Sequence, residues 1–144
     1  MKYIFVDFEG FQYWIAVNQH GFALRQITKE NDCVQISCRD NCLAEGIVDI
    51  DDYCQQITAQ QFEHMWHNTT KSFRRIWEIE KEKYAIGQRI SGVIQYFYPQ
   101  GAIFSVGRIQ GCSNKSTSQS IHSEISGVIS GFDEKNMWLL LKEE

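Results

Sequence analysis

Carboxylate side chains are the groups in this sequence that could most readily do chemistry, because one of two neighbouring acids can donate a proton while the other accepts one. Asp7 and Glu9 lie two residues apart, and Asp49, Asp51 and Asp52 form a cluster. Hydrolytic enzymes usually add a nucleophile, a metal ligand set or a phosphate-binding loop, and the sequence has no GxSxG, HExxH or glycine-rich phosphate motif. We therefore expect surface carboxylates rather than catalytic ones, and a protein that is not an enzyme.

Cysteine and histidine side chains could instead bind a metal ion. The five cysteines are an odd number without a CxxC pair, and His64 and His67 lie three residues apart without an evident third ligand. A metal cluster of Cys33, Cys38 and Cys42 is the alternative. We expect reduced thiols that mostly serve packing, no metal site and no cofactor.

Acidic residues are concentrated in one stretch of the chain. The 18 acidic and 14 basic side chains give a net charge of −4, which argues against a chain-wide grip on nucleic acid. The stretch from Glu30 to Asp52 has seven acids against Arg39 alone, a local charge of −6. Residues 84–123 hold three basic residues and no acid. We expect the two parts of the chain to face different partners.

The apolar pattern predicts strands before the acidic stretch and a helix after it. Residues 3–8, 11–17 and 22–27 are rich in β-branched and aromatic types and are separated by turn signals, which predicts a three-strand meander. Residues 34–36 and 47–50 alternate weakly, so short strands and irregular structure both stay open. Thr58 and Gln61 form a capping box, and the apolar spacing after them predicts one helix that ends at about Lys81 or Lys83.

The sequence gives no sign of a membrane or export segment. It has no run of 18 apolar residues, and Asp7 interrupts the N-terminal apolar residues before a signal-peptide core could form. We expect a cytoplasmic protein without a membrane partner. The single proline, Pro99, excludes proline-rich linkers.

Residues 84–107 resemble the opening of an S1 domain, the five-stranded OB-type barrel first known from ribosomal proteins. The similarity rests on Gly87, on Ile90, Gly92 and Val93 in a first strand, and on the turn Pro99-Gln100-Gly101-Ala102 before a second strand. Residues 125–141 resemble the closing pair of strands, with an Asp-containing turn between them. Glycines inside strands suit a small closed barrel independently, because the sheet coils sharply there.

The resemblance implies RNA binding, in which aromatic side chains stack on bases and basic side chains meet phosphates. The sequence departs from the family at its usual contact positions, which are occupied by Gln100, Ile103 and Asn114. Nearby aromatic and basic residues could substitute for them. The residues that we assign to this nucleic-acid-binding role are Arg89, Tyr96, Phe97, Tyr98, Phe104, Arg108 and Lys115.

Together these patterns predict an α+β fold that is mostly β. Residues 1–83 are expected to form an acidic antiparallel meander packed on one amphipathic helix, and residues 84–144 a small S1/OB-like five-stranded barrel. The sequence leaves the oligomeric state and the packing of the two halves open.

Two binding functions compete. The first is a protein-directed inhibitor or immunity-type protein, whose acidic surface covers a basic partner such as a nuclease toxin. The acids that we assign to this surface are Asp40, Glu45, Asp49, Asp51 and Asp52. The alternative is an RNA-binding or ribosome-associated protein that acts through the S1-like part on single-stranded RNA. The overall acidity and the lost stacking positions favour the protein-directed function.

Overall fold

The computed structural model describes residues 1–114 and 120–143. The chain divides into two compact units, Met1–Lys71 and Ser72–Glu144, whereas the sequence pattern placed a boundary between residues 83 and 84. Half of the described residues are in strands and 16% in helices, which confirms the expected α+β, mostly β class. No helix in the described ranges has the length and apolar character needed to cross a membrane.

A five-stranded antiparallel sheet forms most of the first unit. Its strands are β1 (Lys2–Phe8), β2 (Phe11–Val17), β3 (Ala23–Glu30), β4 (Cys33–Ile36) and β5 (Cys54–Ile57), in the order β4-β3-β2-β1-β5. The predicted meander is confirmed as the three central strands. Residues 47–50 are not a strand, because only Ile47 makes a single bridge there, to Phe22.

The helix α1 (Ala59–Thr69) follows β5 and begins at the predicted capping box. The Thr58 hydroxyl accepts a hydrogen bond from the Gln61 amide at 3.0 Å, and the Thr58 amide donates to Gln61 Oε1 at 2.8 Å. One continuous helix to Lys81 was expected, and this was wrong, since a second helix, α2 (Lys71–Lys81), starts after Thr70. The Thr70 hydroxyl donates to the Trp66 carbonyl at 2.7 Å, a side-chain bond that disturbs helical regularity.

Helix α1 covers one face of the sheet. The Phe62 ring lies 5.3 Å from the Tyr3 ring, and the buried Arg25 guanidinium lies 5.0 Å above Phe62 and 5.3 Å above Trp66. Arg25 also forms an ion pair with Glu63. Because side chains alternate along a strand, the neighbours of Tyr3 in β1 point to the opposite face.

The second unit contains α2 and a closed barrel. The barrel strands are β6 (Arg89–Tyr98), β7 (Gly101–Val106), β8 (Ile109–Ser113), β9 (Glu124–Asp133) and β10 (Trp138–Glu143). Their order around the barrel is β10-β8-β7-β6-β9, and the β10–β8 pair is parallel whereas the others are antiparallel. This five-stranded closed barrel is compatible with an OB-like fold, as the sequence predicts.

The Phe104 side chain fills the barrel interior between two glycines. It is fully buried, and a Cβ atom built on Gly92 would lie 2.6 Å from Phe104 Cδ2. A Cβ atom on Gly111 would meet the same ring. Glycine in these two strands therefore makes room for the ring, which is the physical reason for the strand glycines noted in the sequence.

Candidate functional site

An apolar cavity of about 370 Å³ lies on the sheet face opposite α1. Its floor consists of Ile4, Val6 and Phe8 from β1 together with Tyr13 and Ile15 from β2. These strands place their side chains there because Ile4 pairs with Ile15 and Val6 pairs with Tyr13 across the ladder. The cavity thus lies on the second face of the sheet, which no helix of the first unit covers.

The wall of this cavity is the acidic stretch that precedes β5. Val48, Asp49, Asp51, Tyr53 and Cys54 line it, so two carboxylates stand beside an apolar floor. We call this feature the acid-rimmed groove and define it by the floor residues above and these five wall residues. An apolar pocket with a few placed charges is the usual form of a binding site.

Local hydrogen bonds fix the wall against the sheet. The Val48 amide donates to the Gly21 carbonyl at 2.8 Å. The Tyr53 amide donates to Asp51 Oδ1 at 3.0 Å, and the Cys54 amide donates to the Asp51 carbonyl at 3.1 Å. The wall therefore has a defined backbone path, so a partner would meet a preorganised surface.

Large apolar side chains protrude from the same stretch into solvent. Ile47 is 68% exposed, Ile50 50% and Tyr53 62%. The Tyr53 ring packs edge-on against Phe8 with centroids 5.0 Å apart, and Phe8 is itself 42% exposed. The Phe8 and Tyr53 rings therefore form a contiguous exposed apolar surface, a feature that is typical of interaction surfaces. In the sequence these apolar residues alternate with acids, and that alternation indicated only short strands or irregular structure, not an exposed apolar surface.

The predicted acids divide between this surface and a structural role. Asp49 and Asp51 line the groove, and Glu45 and Asp52 are exposed on the same stretch. Asp40 does not line the groove, and its carboxylate makes local structural contacts. Its carboxylate accepts a hydrogen bond from the Ile36 amide at 3.0 Å and pairs with Arg39 at 2.9 Å.

The five cysteines are free thiols that differ in burial. None of the five, all within the described residues, is in a disulfide bond. Burial raises the pKa of the Cys42 and Cys112 thiols to about 12, and burial raises the pKa of Cys38 well above its usual range. Within residues 1–114 and 120–143, no group of three or more His, Cys, Asp or Glu side chains is arranged to hold a metal ion.

The aromatic residues assigned to RNA binding are largely packed into the barrel unit. Phe104 is fully buried, and Tyr96 and Tyr98 are 9% and 8% exposed. The two tyrosine rings lie 4.8 Å apart, and the Tyr96 hydroxyl donates to Gln110 at 2.9 Å. Stacking on a base requires an accessible ring face. Of the four assigned aromatics, Phe97 is the one that is substantially exposed, at 44%.

The assigned basic residues that the structure describes belong to different elements, Arg89 to β6 and Arg108 to the turn between β7 and β8. Arg89 is exposed at the start of β6, and Arg108 pairs with the Glu80 carboxylate of α2. Lys115 lies outside the described residues. Among the assigned RNA contacts that the structure describes, Arg89, Phe97 and Arg108 have exposed side chains.

A second cavity, of about 420 Å³, opens on the barrel and is more polar. Gln100, Asn114, Asp133, Trp138 and Lys142 are among its lining residues. Two of these, Gln100 and Asn114, are positions where the S1 resemblance implies ligand contacts. This lining is more polar than the aromatic contact surface that the resemblance implies.

Helix α2 holds the turn between β9 and β10. The Trp77 indole N–H donates to Glu134 Oε2 at 2.7 Å, and Lys81 donates to Glu134 Oε1 at 2.9 Å. Burial opposes ionisation of Glu134, but these hydrogen bonds outweigh it and lower the pKa of the carboxyl. The turn is therefore tied to the helix rather than presented as an independent binding loop.

Comparison with known proteins identifies no relative of this chain. No protein-family model matches the chain, and neither a curated protein nor a solved structure is detectably similar to it. The fold and the two cavities therefore carry the functional argument.

Proposed function

We propose that this chain is a non-enzymatic, cytoplasmic binding protein that recognises another protein, and that the acid-rimmed groove is its contact surface. The proposal extends to an inhibitor or immunity-type role towards a basic partner such as a nuclease toxin. One observation carries this proposal. The carboxylates of Asp49 and Asp51 line an apolar cavity and belong to one preorganised wall.

The two components of the groove serve different parts of binding. Carboxylates on the rim attract a basic partner from a distance and raise the association rate, more than they raise final affinity. Apolar and aromatic groups supply most of the affinity, because burying them removes apolar area from water. Tyr53, Ile47 and Ile50 are exposed beside the rim and are suited to that second task.

The size of the groove limits its occupant. A cavity of about 370 Å³ accommodates a few side chains rather than a folded surface. The acids favour lysine or arginine among those side chains, and the floor favours an apolar one. A protruding segment of a basic protein fits both requirements.

The experiment is a comparison of matched charge variants of the full chain as bait. The groove variant is Asp49→Asn with Asp51→Asn and Asp52→Asn. The control variant is Glu30→Gln with Asp32→Asn and Glu82→Gln, which neutralises three exposed acids that do not line the groove. Capture from nuclease-treated lysate identifies basic proteins retained by wild type, and their association rates are then measured with each purified bait.

We expect the groove variant to associate at least about tenfold more slowly at low salt, and the control variant to stay within about twofold of wild type. Association of wild type should also slow as salt is added, because the attraction is screened. Equal rates for the two variants, or a partner lost on nuclease treatment, would contradict the proposal.

The barrel cavity favours a second candidate, which is binding of single-stranded RNA by an S1-like barrel. Its support is the resemblance together with the position of Gln100, Asn114 and Trp138 in one cavity. The test is fluorescence anisotropy of a labelled single-stranded RNA against wild type and the variant Asn114→Ala with Lys142→Ala. A salt-dependent affinity that the variant loses supports this candidate. An affinity weaker than millimolar at low salt rejects it.

A further inference from the structure

The two edge strands of the first unit's sheet, β4 and β5, differ in the hydrogen bonding of their outward backbone groups. At the β4 edge, Arg39 donates to the Val34 carbonyl at 3.4 Å, and Asp40 accepts from the Ile36 amide. The Ile36 carbonyl accepts from the amides of Arg39 and Asp40 at 3.0 and 2.7 Å. Side chains and a turn therefore occupy most of the outward groups of this edge, which is how proteins block unwanted strand pairing.

The β5 edge also has outward-facing backbone groups, and their direction follows from the ladder. The Cys54 amide donates to the Asp51 carbonyl, so it points away from β1. Backbone groups alternate in direction along an antiparallel strand. The N–H and C=O of Gln56 therefore also point away from β1, and so does the C=O of Cys54.

Among the described residues, hydrogen bonds to outward groups are found at the two ends of this edge, at the Cys54 amide and at Thr58. Thr58, the next outward residue, donates its amide to Gln61 and accepts from the Phe62 amide. Within the described residues, no hydrogen bond is found for the outward groups of Gln56, and its side chain is exposed. The edge strand Cys54–Ile57 also lacks the lysine, proline or bulge that commonly protects an edge.

The open β5 edge and the acid-rimmed groove are continuous. Gln56 pairs with Ile4 and Cys54 pairs with Val6, and both partners contribute side chains to the groove floor. A strand added beside β5 would therefore direct every second side chain to the groove face, near Asp51 and Tyr53. The other side chains would point to the opposite face.

We infer that the partner binds by adding an extended, basic segment as a sixth strand along β5, with its alternate side chains at the acid-rimmed groove. This inference rests on the proposed protein-directed function and names the form of its ligand. Backbone hydrogen bonds to Gln56 would supply affinity, and the groove would supply selectivity for basic and apolar side chains. A second copy of this chain is disfavoured, because it carries the same net charge of −4 and is less complementary to the acidic rim than a basic segment is.

The test uses the full chain and a fluorescent, end-capped peptide of alternating lysine and valine, with a glutamate–valine peptide as the charge control. Gln56→Pro removes the outward N–H at an edge position that tolerates proline, and Gln56→Ala removes only the side chain. Circular dichroism and thermal unfolding verify that both variants are folded. Hydrogen exchange of the Gln56 amide is followed by NMR with and without the peptide.

We expect the lysine peptide to bind, Gln56→Pro to weaken it by about tenfold and Gln56→Ala to leave it within about twofold. The Gln56 amide should exchange about tenfold more slowly in the complex. If the chain binds the lysine peptide but not the glutamate peptide, and the exchange rate of the Gln56 amide does not change, strand addition is overturned but the groove proposal stands. Failure of the lysine peptide to bind at millimolar concentration also overturns strand addition, while the capture experiment decides the groove proposal separately. Dimerisation that protects Gln56 would assign the edge to a second copy and overturn the inference.

Discussion

The Arg108 guanidinium, in the turn between β7 and β8, is tied to the buried carboxylate of Glu80 on α2. Its Nε and Nη2 atoms lie 2.9 and 2.8 Å from Glu80 Oε1, and Lys83 lies 3.1 Å from the same oxygen. Hydrogen bonds from Arg108 and Lys83 lower the pKa of Glu80. A cation held in this way stabilises the second unit, and its release to an RNA phosphate would leave a buried carboxylate with fewer partners.

The first prediction concerns stability at acid pH. A carboxyl whose pKa is lower in the folded than in the unfolded state stabilises the fold above its ordinary value of 4.5, and that contribution is lost as the pH falls through the folded value. Glu80→Gln should therefore lower the free energy of unfolding at pH 7 and flatten its decline below pH 4.5. Urea unfolding across the acid range measures this. Glu82→Gln, at an exposed neighbour, should change the free energy of unfolding at pH 7 much less than Glu80→Gln does. An equally steep decline at acid pH in Glu80→Gln and in wild type would refute the assignment.

The second prediction separates packing from binding among the barrel aromatics. Phe104 is fully buried between Gly92 and Gly111, so Phe104→Ala should reduce the free energy of unfolding by about 3–5 kcal/mol. Phe97 is 44% exposed, so Phe97→Ala should change it by less than about 0.5 kcal/mol. Denaturant unfolding monitored by circular dichroism measures both. Similar effects of the two substitutions would show that Phe104 does not fill the barrel as described.

The barrel could be predicted because its signals are local. Gly92 and Gly101 mark the places where a small closed sheet leaves no room for a side chain, and Pro99 marks a turn. Whether Tyr96 and Tyr98 pack the barrel or bind RNA could not be decided from the sequence, because a tyrosine that packs and a tyrosine that binds a base look alike there. Their difference arises from neighbours such as Gln110, which is distant along the chain.

The first unit shows the same limit. The capping box at Thr58 predicted where α1 begins, but the break after Thr70 depends on a side-chain bond that residue spacing does not reveal. Strand β5 was missed because two of its four residues are glutamine and it has no apolar alternation. The groove was missed with it, since the floor from β1 and β2 meets the acidic wall only after the sheet has formed.

The third prediction concerns Glu134, which accepts from Trp77 and Lys81. Glu134→Ala leaves the indole N–H of the buried Trp77 without this acceptor, at a cost of about 1–3 kcal/mol in the free energy of unfolding. Glu78→Ala removes only an exposed ion pair to Lys81 at 3.0 Å, worth less than about 0.5 kcal/mol. Urea unfolding compares the two variants. If Glu78→Ala proves the more damaging, the Trp77–Glu134 bond does not hold the turn.

The fourth prediction follows from the thiol environments. Cys33 is exposed, whereas burial raises the pKa of Cys42 and Cys112 to about 12 and also raises the pKa of Cys38. A thiol reacts as its thiolate. At pH 8, Ellman's reagent should therefore label Cys33 rapidly and leave Cys38, Cys42 and Cys112 unreacted until the protein is unfolded. Cys33→Ser is the control and should reduce the rapid phase by one thiol, because Cys54 is also partly exposed. Rapid labelling of Cys38, Cys42 or Cys112 would contradict the packing.

The last prediction distinguishes two aspartates of the same acidic stretch. Asp40→Ala deprives the Ile36 amide and Arg39 of their shared acceptor, so it should lower the free energy of unfolding by about 1–2 kcal/mol. Asp52→Ala removes an exposed charge beside the groove, so it should alter stability by less than about 0.5 kcal/mol. Thermal or urea unfolding tests this order, and association with the captured partner should show the reverse one. Each substitution removes one negative charge, so net charge cannot account for opposite rankings. If Asp40→Ala slowed association more than Asp52→Ala while remaining folded, the contact surface would have to be moved from the groove to the β4 edge.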